Sequence, residues 1–218
     1  MIDLYSWPTP NGQKVHIMLE ECGLSYAVHA VDIGAGEQFA PKFLKISPNN
    51  KIPAIVDSDG PDGKPLSLFE SGAILIYLAG NTGSFLPRTT RGRYEALQWL
   101  MFQMSGLGPM LGQAYHFRSQ APEQIDYAIE RYAKEARRLL GVIERQLAQT
   151  GACLAGRDYS IADIACWPWI HAHEQLGLDL GEFPKLGRWH DTIGARAAVQ
   201  RGMNLLADRR RPAADPKR

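Results

Sequence analysis

The chain has 218 residues, and its 24 Lys and Arg nearly cancel its 23 Asp and Glu. That balance excludes a dedicated nucleic-acid binder, which carries a strong basic excess. A composition of 45% hydrophobic and 22% charged residues excludes disorder over the bulk of the chain.

The first apolar pattern, Ile2-Asp3-Leu4-Tyr5, alternates as a strand does. Pro8, Pro10, Asn11 and Gly12 then break the chain ahead of an amphipathic helix over Lys14–Cys22, which Gly23 ends. A second strand is expected over Ala27–Ile33, followed by a Gly-rich loop and a short helix near Pro41–Ile46. Ile52–Val56 and Leu66–Phe69 read as two strands of a hairpin, because PDGKP between them has the Asp-Gly pair and prolines of a turn. A last helix opens at Glu70-Ser71 and runs to about Ala79. The order β-α-β-α-β-β-α makes a compact α/β domain.

Composition changes across Asn81–Arg93. Residues 1–86 hold five Lys, no Arg and nine acids, a net −4, whereas the remainder holds nineteen bases and fourteen acids, a net +5. Beyond the change no strand pattern is found. Tyr94–Phe117 and Glu123–Leu147 carry apolar residues at helical spacing, and Ser160-Ile161-Ala162-Asp163 is a capping-box start with Tyr159 and Ile164 placed as its staple. Shorter helices are expected after Pro184 and Ala195. The expected division is therefore 1–83, an all-helical domain over 90–208, and a mobile tail over 209–218.

Three widely spaced cysteines, Cys22, Cys153 and Cys166, with no CxxC, suit a reducing compartment rather than a disulfide framework. The first residues lack the apolar core of a secretory signal, and no apolar run nears the ~20 residues of a membrane span, so a cytoplasmic protein is expected. GxGxxG after the first strand, GxxxxGK[ST] and HExxH are all missing. His171 and His173, two apart on a helical pattern, do not share a face, so no metal site is expected.

Three features of the first domain can carry chemistry. The turn Tyr5–Gly12 ends at a helix start, whose N–H groups and dipole favour an anion, and Thr9 and Asn11 add polar groups there. Asn11 equally suits a helix cap. In Asn50-Lys51-Ile52-Pro53 a proline stands at a strand entrance, with neither peptide isomer selected by the sequence. At Phe69-Glu70-Ser71-Gly72, Ser71 would hold a carboxylate at a helix start and Glu70 an ammonium, the two ends of an amino acid's backbone; a second helix cap is the competing reading.

The segments NKIPAIVD (Asn50–Asp57), FESGAILIYLA (Phe69–Ala79) and YSIADIACWPW (Tyr159–Trp169) resemble those of cytosolic glutathione transferases, and the likeness runs over essentially the whole chain. TPNG (Thr9–Gly12) with ISPNNKIPAIVD resembles the bacterial Nu class, the disulfide-bond oxidoreductases related to a fungal nitrogen-regulatory prion protein. The resemblance implies a thioredoxin-like domain followed by a helical bundle, and a homodimer. It implies glutathione as co-substrate, one or two per subunit, with Glu70 and Ser71 on its γ-glutamyl end, Ile52 beside Pro53 on its cysteinyl unit, and Lys51 and Gln38 near its glycyl carboxylate. Arg131 matches a helical-domain arginine near the ligand, and Thr9 and Asn11 occupy the thiol-facing turn. The Tyr, Ser or Cys of the larger classes has no secure equivalent, since Tyr5 and Ser6 belong to the strand end.

The leading expectation is thiol–disulfide exchange on a small disulfide, with the working sulfur on glutathione because the turn holds no CxxC. Conjugation to an electrophile is the rival, with Tyr94, Trp99, Met104, Met110, Tyr115, Phe117 and Trp169 as candidates for a second pocket. A non-catalytic interaction protein is the third reading; the absence of an added domain or long extension disfavours it.

Overall fold

A computed structural model describes residues 1–209. In chain order the first strand and helices are β1 (Ile2–Ser6), α1 (Pro10–Cys22), β2 (Tyr26–Ala30), α2 (Pro41–Leu44), β3 (Ala54–Asp57), β4 (Leu66–Phe69) and α3 (Ser71–Thr82). There follow α4 (Thr90–Phe102), α5 (Gly108–Ser119), α6 (Asp126–Thr150), α7 (Ile161–His171), α8 (Pro184–Gly194) and α9 (Ala197–Asn204). Contacts divide the described residues into two units: Met1–Ser84 with the segment that opens at Arg196, and Phe85–Ala195.

The first unit is a four-stranded sheet of order β2-β1-β3-β4. β1 and β2 run parallel, while β3 is antiparallel to both β1 and β4, the latter pair forming the expected hairpin. The second strand ends at Ala30, short of the expected Ile33, because the Asp32 carboxylate accepts from the N–H groups of Gly34 and Ala35 and turns the chain. β3 starts at Ala54, two residues later than expected, since Pro53 has no N–H to give a ladder; the Ile52–Pro53 peptide is cis.

α1 is not the amphipathic helix of the sequence reading. Every residue from Gly12 to Leu19 is buried, including Gln13, Lys14 and His16. α3 covers one side of it and α9 another. Gly202 of α9 lies so close that a Cβ there would come within 2.7 Å of the Ile17 nitrogen. Arg196 pairs with Glu21 through two hydrogen bonds of 2.6 and 2.8 Å, and Arg201 reaches Glu20 at 2.6 Å. This packing moves the segment from Arg196 out of the expected 90–208 helical domain and into the first unit. Of the expected tail, 210–218 lie outside the described residues.

In the second unit α6 packs on α5 and α8, and α4 on α7. The helical pattern over 94–117 resolves into two helices joined by a π-helical turn at Gln103–Leu107. Pro109 follows that turn; its ring cannot coexist with the carbonyl of residue 105 in regular α geometry, and the wider turn relieves the clash. Glu144 of α6 accepts from the N–H groups of Lys185 and Leu186, supplying the cap that α8 lacks locally.

The capping box at Ser160 forms as expected and becomes the centre of the unit. Asp163 is wholly buried. It accepts from Ser160 N and Oγ on one oxygen, and from Leu154 N and Trp189 Nε1 on the other. Burial pushes its carboxyl above the usual carboxylate range, opposed by those four donors. Replacing it strands all four groups: Asp163→Ala should lower unfolding stability by about 3–5 kcal/mol in denaturant titrations. Asp163→Asn should not restore it, because an amide turns donors toward donors.

Candidate functional site

The sheet register builds the site. Ala54 lies opposite Tyr5 on one side and Phe69 on the other, and Ser6 lies opposite Ala30. The segments that leave the sheet just beyond these residues therefore gather at one end of it: the turn from Trp7 to Asn11, the cis bond at Ile52–Pro53, the junction Glu70–Ser71, and the loop after β2 that carries Gln38. Both α1 and α3 begin there, so two positive helix ends face one corner.

In the turn Thr9, not Asn11, is the helix cap. Its Oγ1 accepts from Gly12 N at 3.4 Å, while Asn11 sits half-buried within the first turn of α1. Thr9 N donates to Trp7 O at 2.7 Å, drawing the turn tight. Gly12 is required by space: a Cβ would lie 2.2 Å from Trp7 O and 2.6 Å from Ser6 Oγ. Ser6 is fully buried, with its Oγ 2.8 Å from His16 Nε2. Tyr5 stacks on His29 with ring centroids 4.6 Å apart, and burial together with Asp3 pushes its phenol up, so it offers no ready phenolate.

Pro53 is buried, and Ile52 packs against the cluster of Val31, Phe43 and Ala54. Ser47 Oγ donates to Lys51 O at 2.8 Å, which holds the Asn50–Lys51 loop while the Lys51 side chain stays exposed. Gln38 is half-buried, its Nε2 donating to Ile33 O at 3.3 Å. Glu70 has φ 69°, a left-handed conformation uncommon outside glycine, at the start of α3, and its exposed side chain caps nothing there. Strain of this kind, held by its surroundings, concentrates at ligand sites. Ser71 beside it is buried and accepts from Lys14 Nζ at 3.3 Å.

Lys14 and His16, buried behind this corner, are polar residues that sequence patterning passed over. Their spacing within an apolar run is a weak signal, readable only as polar residues where α1 has no polar face. Arg131 lies on α6 in the second unit and is exposed; it assists Arg138, the larger influence, in holding Glu135 below the usual carboxylate range.

Of the aromatic candidates in the second unit, Phe117 stacks on Tyr132, Trp99 meets Phe102 edge-on, and Tyr94 is exposed. His171 and His190 share a contact of 3.1 Å beside Trp167, whereas His173 faces Leu178 O; among the described residues no group of three His, Cys, Asp or Glu is arranged to hold a metal ion. Cys22, at the far end of α1, lies 3.6 Å from Thr82 Oγ1, and burial pushes its thiol up.

This corner holds a buried hydroxyl and a carboxylate at the start of α3, and Thr9 and Asn11 at the start of α1.

The family description "Glutathione S-transferase, N-terminal domain" matches residues 1–80, and "Glutathione S-transferase, C-terminal domain" matches residues 108–197. The chain is 55% identical over 207 residues to the disulfide-bond oxidoreductase YfcG of Escherichia coli, covering 94% of this chain and 95% of that one. It is 44% identical to the E. coli disulfide-bond oxidoreductase YghU, covering 92% and 73% respectively. A glutathione transferase from Burkholderia graminis, crystallised with two glutathione molecules per subunit, superposes with a TM-score of 0.88 at 49% identity, covering 93% of this chain and 87% of that one. One from Pseudomonas putida, with one glutathione disulfide per subunit, gives 0.87 at 46% identity, covering 94% and 91%.

The tight turn generates a paired test. Gly12→Ala should cost about 2–3 kcal/mol by overpacking the backbone. Gly80→Ala, in α3 where a Cβ meets nothing within 4 Å, should gain about 0.5–1 kcal/mol. Thermal and denaturant unfolding of the two variants checks both signs.

Proposed function

The chain belongs to the glutathione S-transferase family, both of whose domains its sequence matches, and on that premise we propose that it is a glutathione-dependent thiol–disulfide oxidoreductase. The observation that carries this reading is the position of sulfur. The turn at the start of α1 contains no cysteine, and Cys22, the first in the chain, lies at the other end of a 13-residue helix, about 18 Å away at 1.5 Å per residue. A disulfide chemistry at this corner must therefore take its sulfur from bound glutathione.

Free thiols ionise near pKa ~8.5, leaving only a few per cent thiolate at neutral pH. A helix N-terminus stabilises an anion by roughly 0.3–1 kcal/mol, up to ~2 when partly buried, and a hydrogen bond to a charged group by about 1.5–3 kcal/mol. At about 1.4 kcal/mol per pKa unit, the α1 start with Thr9 and Asn11 supplies one or two units of thiol activation. Glu70 and Ser71 would fix the γ-glutamyl ammonium and carboxylate, Ile52 beside Pro53 the cysteinyl backbone, and Lys51 and Gln38 the glycyl end. The glutathione thiolate attacks one sulfur of the substrate disulfide and expels the other as thiolate. A second glutathione then attacks the mixed disulfide, leaving glutathione disulfide and a reduced substrate. Crystals of relatives with two glutathiones, or one glutathione disulfide, per subunit support both halves of that exchange.

A homodimer accords with the face of α4, where Tyr94 and Met101, seven residues apart on one side, are 67% and 47% exposed, and with Tyr127 at the start of α6, 74% exposed. A cytoplasmic setting accords with three cysteines of which none is joined in a disulfide. Among the described residues no helix is long and apolar enough to cross a membrane.

Two measurements test the reading. A variant with Cys22, Cys153 and Cys166 all changed to Ser should reduce a small disulfide with glutathione at a rate within about twofold of the parent; loss of turnover in the folded triple variant refutes it. Asn11→Ala should raise the apparent pKa of the pH–rate profile by about one unit and lower kcat/KM near neutrality about tenfold. Faster turnover of an aryl halide than of the disulfide would move the assignment to conjugation.

A further inference from the structure

α6 carries a row of cations on the surface of the second unit. Lys134, Arg138, Gly141 and Arg145 recur at four- and three-residue spacing, so they lie along one line of the helix. Arg137 flanks that line, Glu130 stands at its first end, and these six residues line an open groove. At roughly 1.5 Å of rise per residue, Lys134 and Arg145 are about 16 Å apart along the axis. The row is only partly matched by the protein's own acids. Among the described residues Lys134 and Arg145 make no ion pair. Arg138 gives Nε and Nη2 to Glu135, each at 2.7 Å, and Arg137 gives Nη2 to Glu182 at 3.0 Å. Those pairs use only part of each guanidinium, which carries five N–H donors.

Gly141 is the second unusual feature. Glycine lowers the stability of a helix interior relative to alanine, and Gly141 stands in the middle of a 25-residue helix. Packing does not demand it: a Cβ there would meet Arg145 Nη1 at 3.5 Å and Phe183 Cε1 at 3.9 Å, both ordinary contacts. The missing side chain leaves a dent within the cation row, with the Phe183 ring beside it.

We propose that this groove docks an extended acidic segment of another polypeptide, with carboxylates on the cations and one apolar side chain in the dent at Gly141. Charge complementarity selects the sign of the partner, and spacing selects its form. Lys134 and Arg138 are about 6 Å apart along the helix, close to the ~6.6 Å between same-side residues of an extended chain. Successive carboxylates on one side of such a chain therefore meet successive cations, and an arginine fork takes a carboxylate through two parallel hydrogen bonds. Glu130, Glu135 and Glu182 interrupt the positive field, which disfavours a uniformly charged polyanion such as a nucleic acid. None of the groove residues has a part in the glutathione reading, so the inference is independent of it.

The test is fluorescence anisotropy of a labelled acetyl-EELEE-amide peptide titrated with the full chain. Exposed ion pairs are individually weak, so the expected Kd is on the order of 100 μM at low salt, rising several-fold at ~150 mM salt. Changing Lys134 and Arg145 together to Gln should weaken the peptide about tenfold. Both side chains are exposed, so the folded structure should be unaltered by circular dichroism. Gly141→Leu, which fills the dent, should weaken acetyl-EELEE-amide about fivefold and acetyl-EEGEE-amide, which has no apolar side chain, less than about twofold. Gly141→Ala should raise Tm by about 1–3 °C, as expected where glycine serves no packing need. Glutathione-dependent reduction of a small disulfide should stay within about twofold of the parent in every variant.

Absence of saturable binding, equal binding of the neutral acetyl-QQLQQ-amide, or an affinity indifferent to the paired Gln changes overturns the proposal. Tighter binding of a single-stranded oligonucleotide or of tripolyphosphate than of the acidic peptide also overturns it, by making the row a general polyanion surface. A lowered Tm in Gly141→Ala assigns the glycine to packing and removes the dent from the argument for a docking groove.

Discussion

The candidate site depends on one constraint, the antiparallel register of β3 between β1 and β4. With Ala54 opposite both Tyr5 and Phe69, the three segments leaving the sheet at that end are neighbours. Because side chains alternate along a strand, a one-residue slip of β3 would force buried Ile55 onto the face where the smaller Ala54 packs with Val31 and Phe43, and move Pro53 away from the helix starts. Such a slip is opposed by the core on which Leu4, Ile55 and the apolar face of α3 close, and by Gly12, which admits no side chain between α1 and the end of β1.

The second consequence concerns α1. Buried on all sides by the sheet, α3 and α9, it holds its polar residues in a dry environment where each needs a partner. Those partners connect elements: His16 meets Ser6 on β1, and Lys14 meets Ser71 on α3. The ion pairs from Arg196, just before α9, to Glu21 and from Arg201 in α9 to Glu20 close the outer end of the same helix. One helix thereby couples the sheet end, the α3 start and the C-terminal segment. The near-zero net charge of the chain conceals this division of labour, with acidic Glu20 and Glu21 in the first half meeting arginines near the chain's end.

Much of the architecture was legible in the residues. Turn chemistry marked the hairpin at PDGKP, Gly23 stands where α1 stops, and Ser160 with Asp163 announced a capping box that the structure reproduces. Glu70 and Ser71 were readable as a pair because a carboxylate and a hydroxyl at a strand-to-helix junction are chemically pointed. Local pattern could not give Thr9 rather than Asn11 as the cap, since both residue types cap helices well and only the turn's path chooses between them. Nor could it give the break at Gln103–Leu107, where a single Pro109 outweighs an unbroken apolar spacing.

What the sequence by itself determined is what local chemistry and spacing encode: the element order, two halves of different character, and a helix-start turn without cysteine that leaves the sulfur to a ligand. What only the tertiary structure decided is what depends on residues far apart in the chain. The assignment of the segment from Arg196 to the first unit and the burial of Lys14 against Ser71 arise from packing, and the cis state of Pro53 and the φ of Glu70 are likewise visible only in the structure. Lys14 and Ser71 are 57 positions apart. No pattern read along a few turns of chain can report a contact whose energy comes from excluding water between two helices.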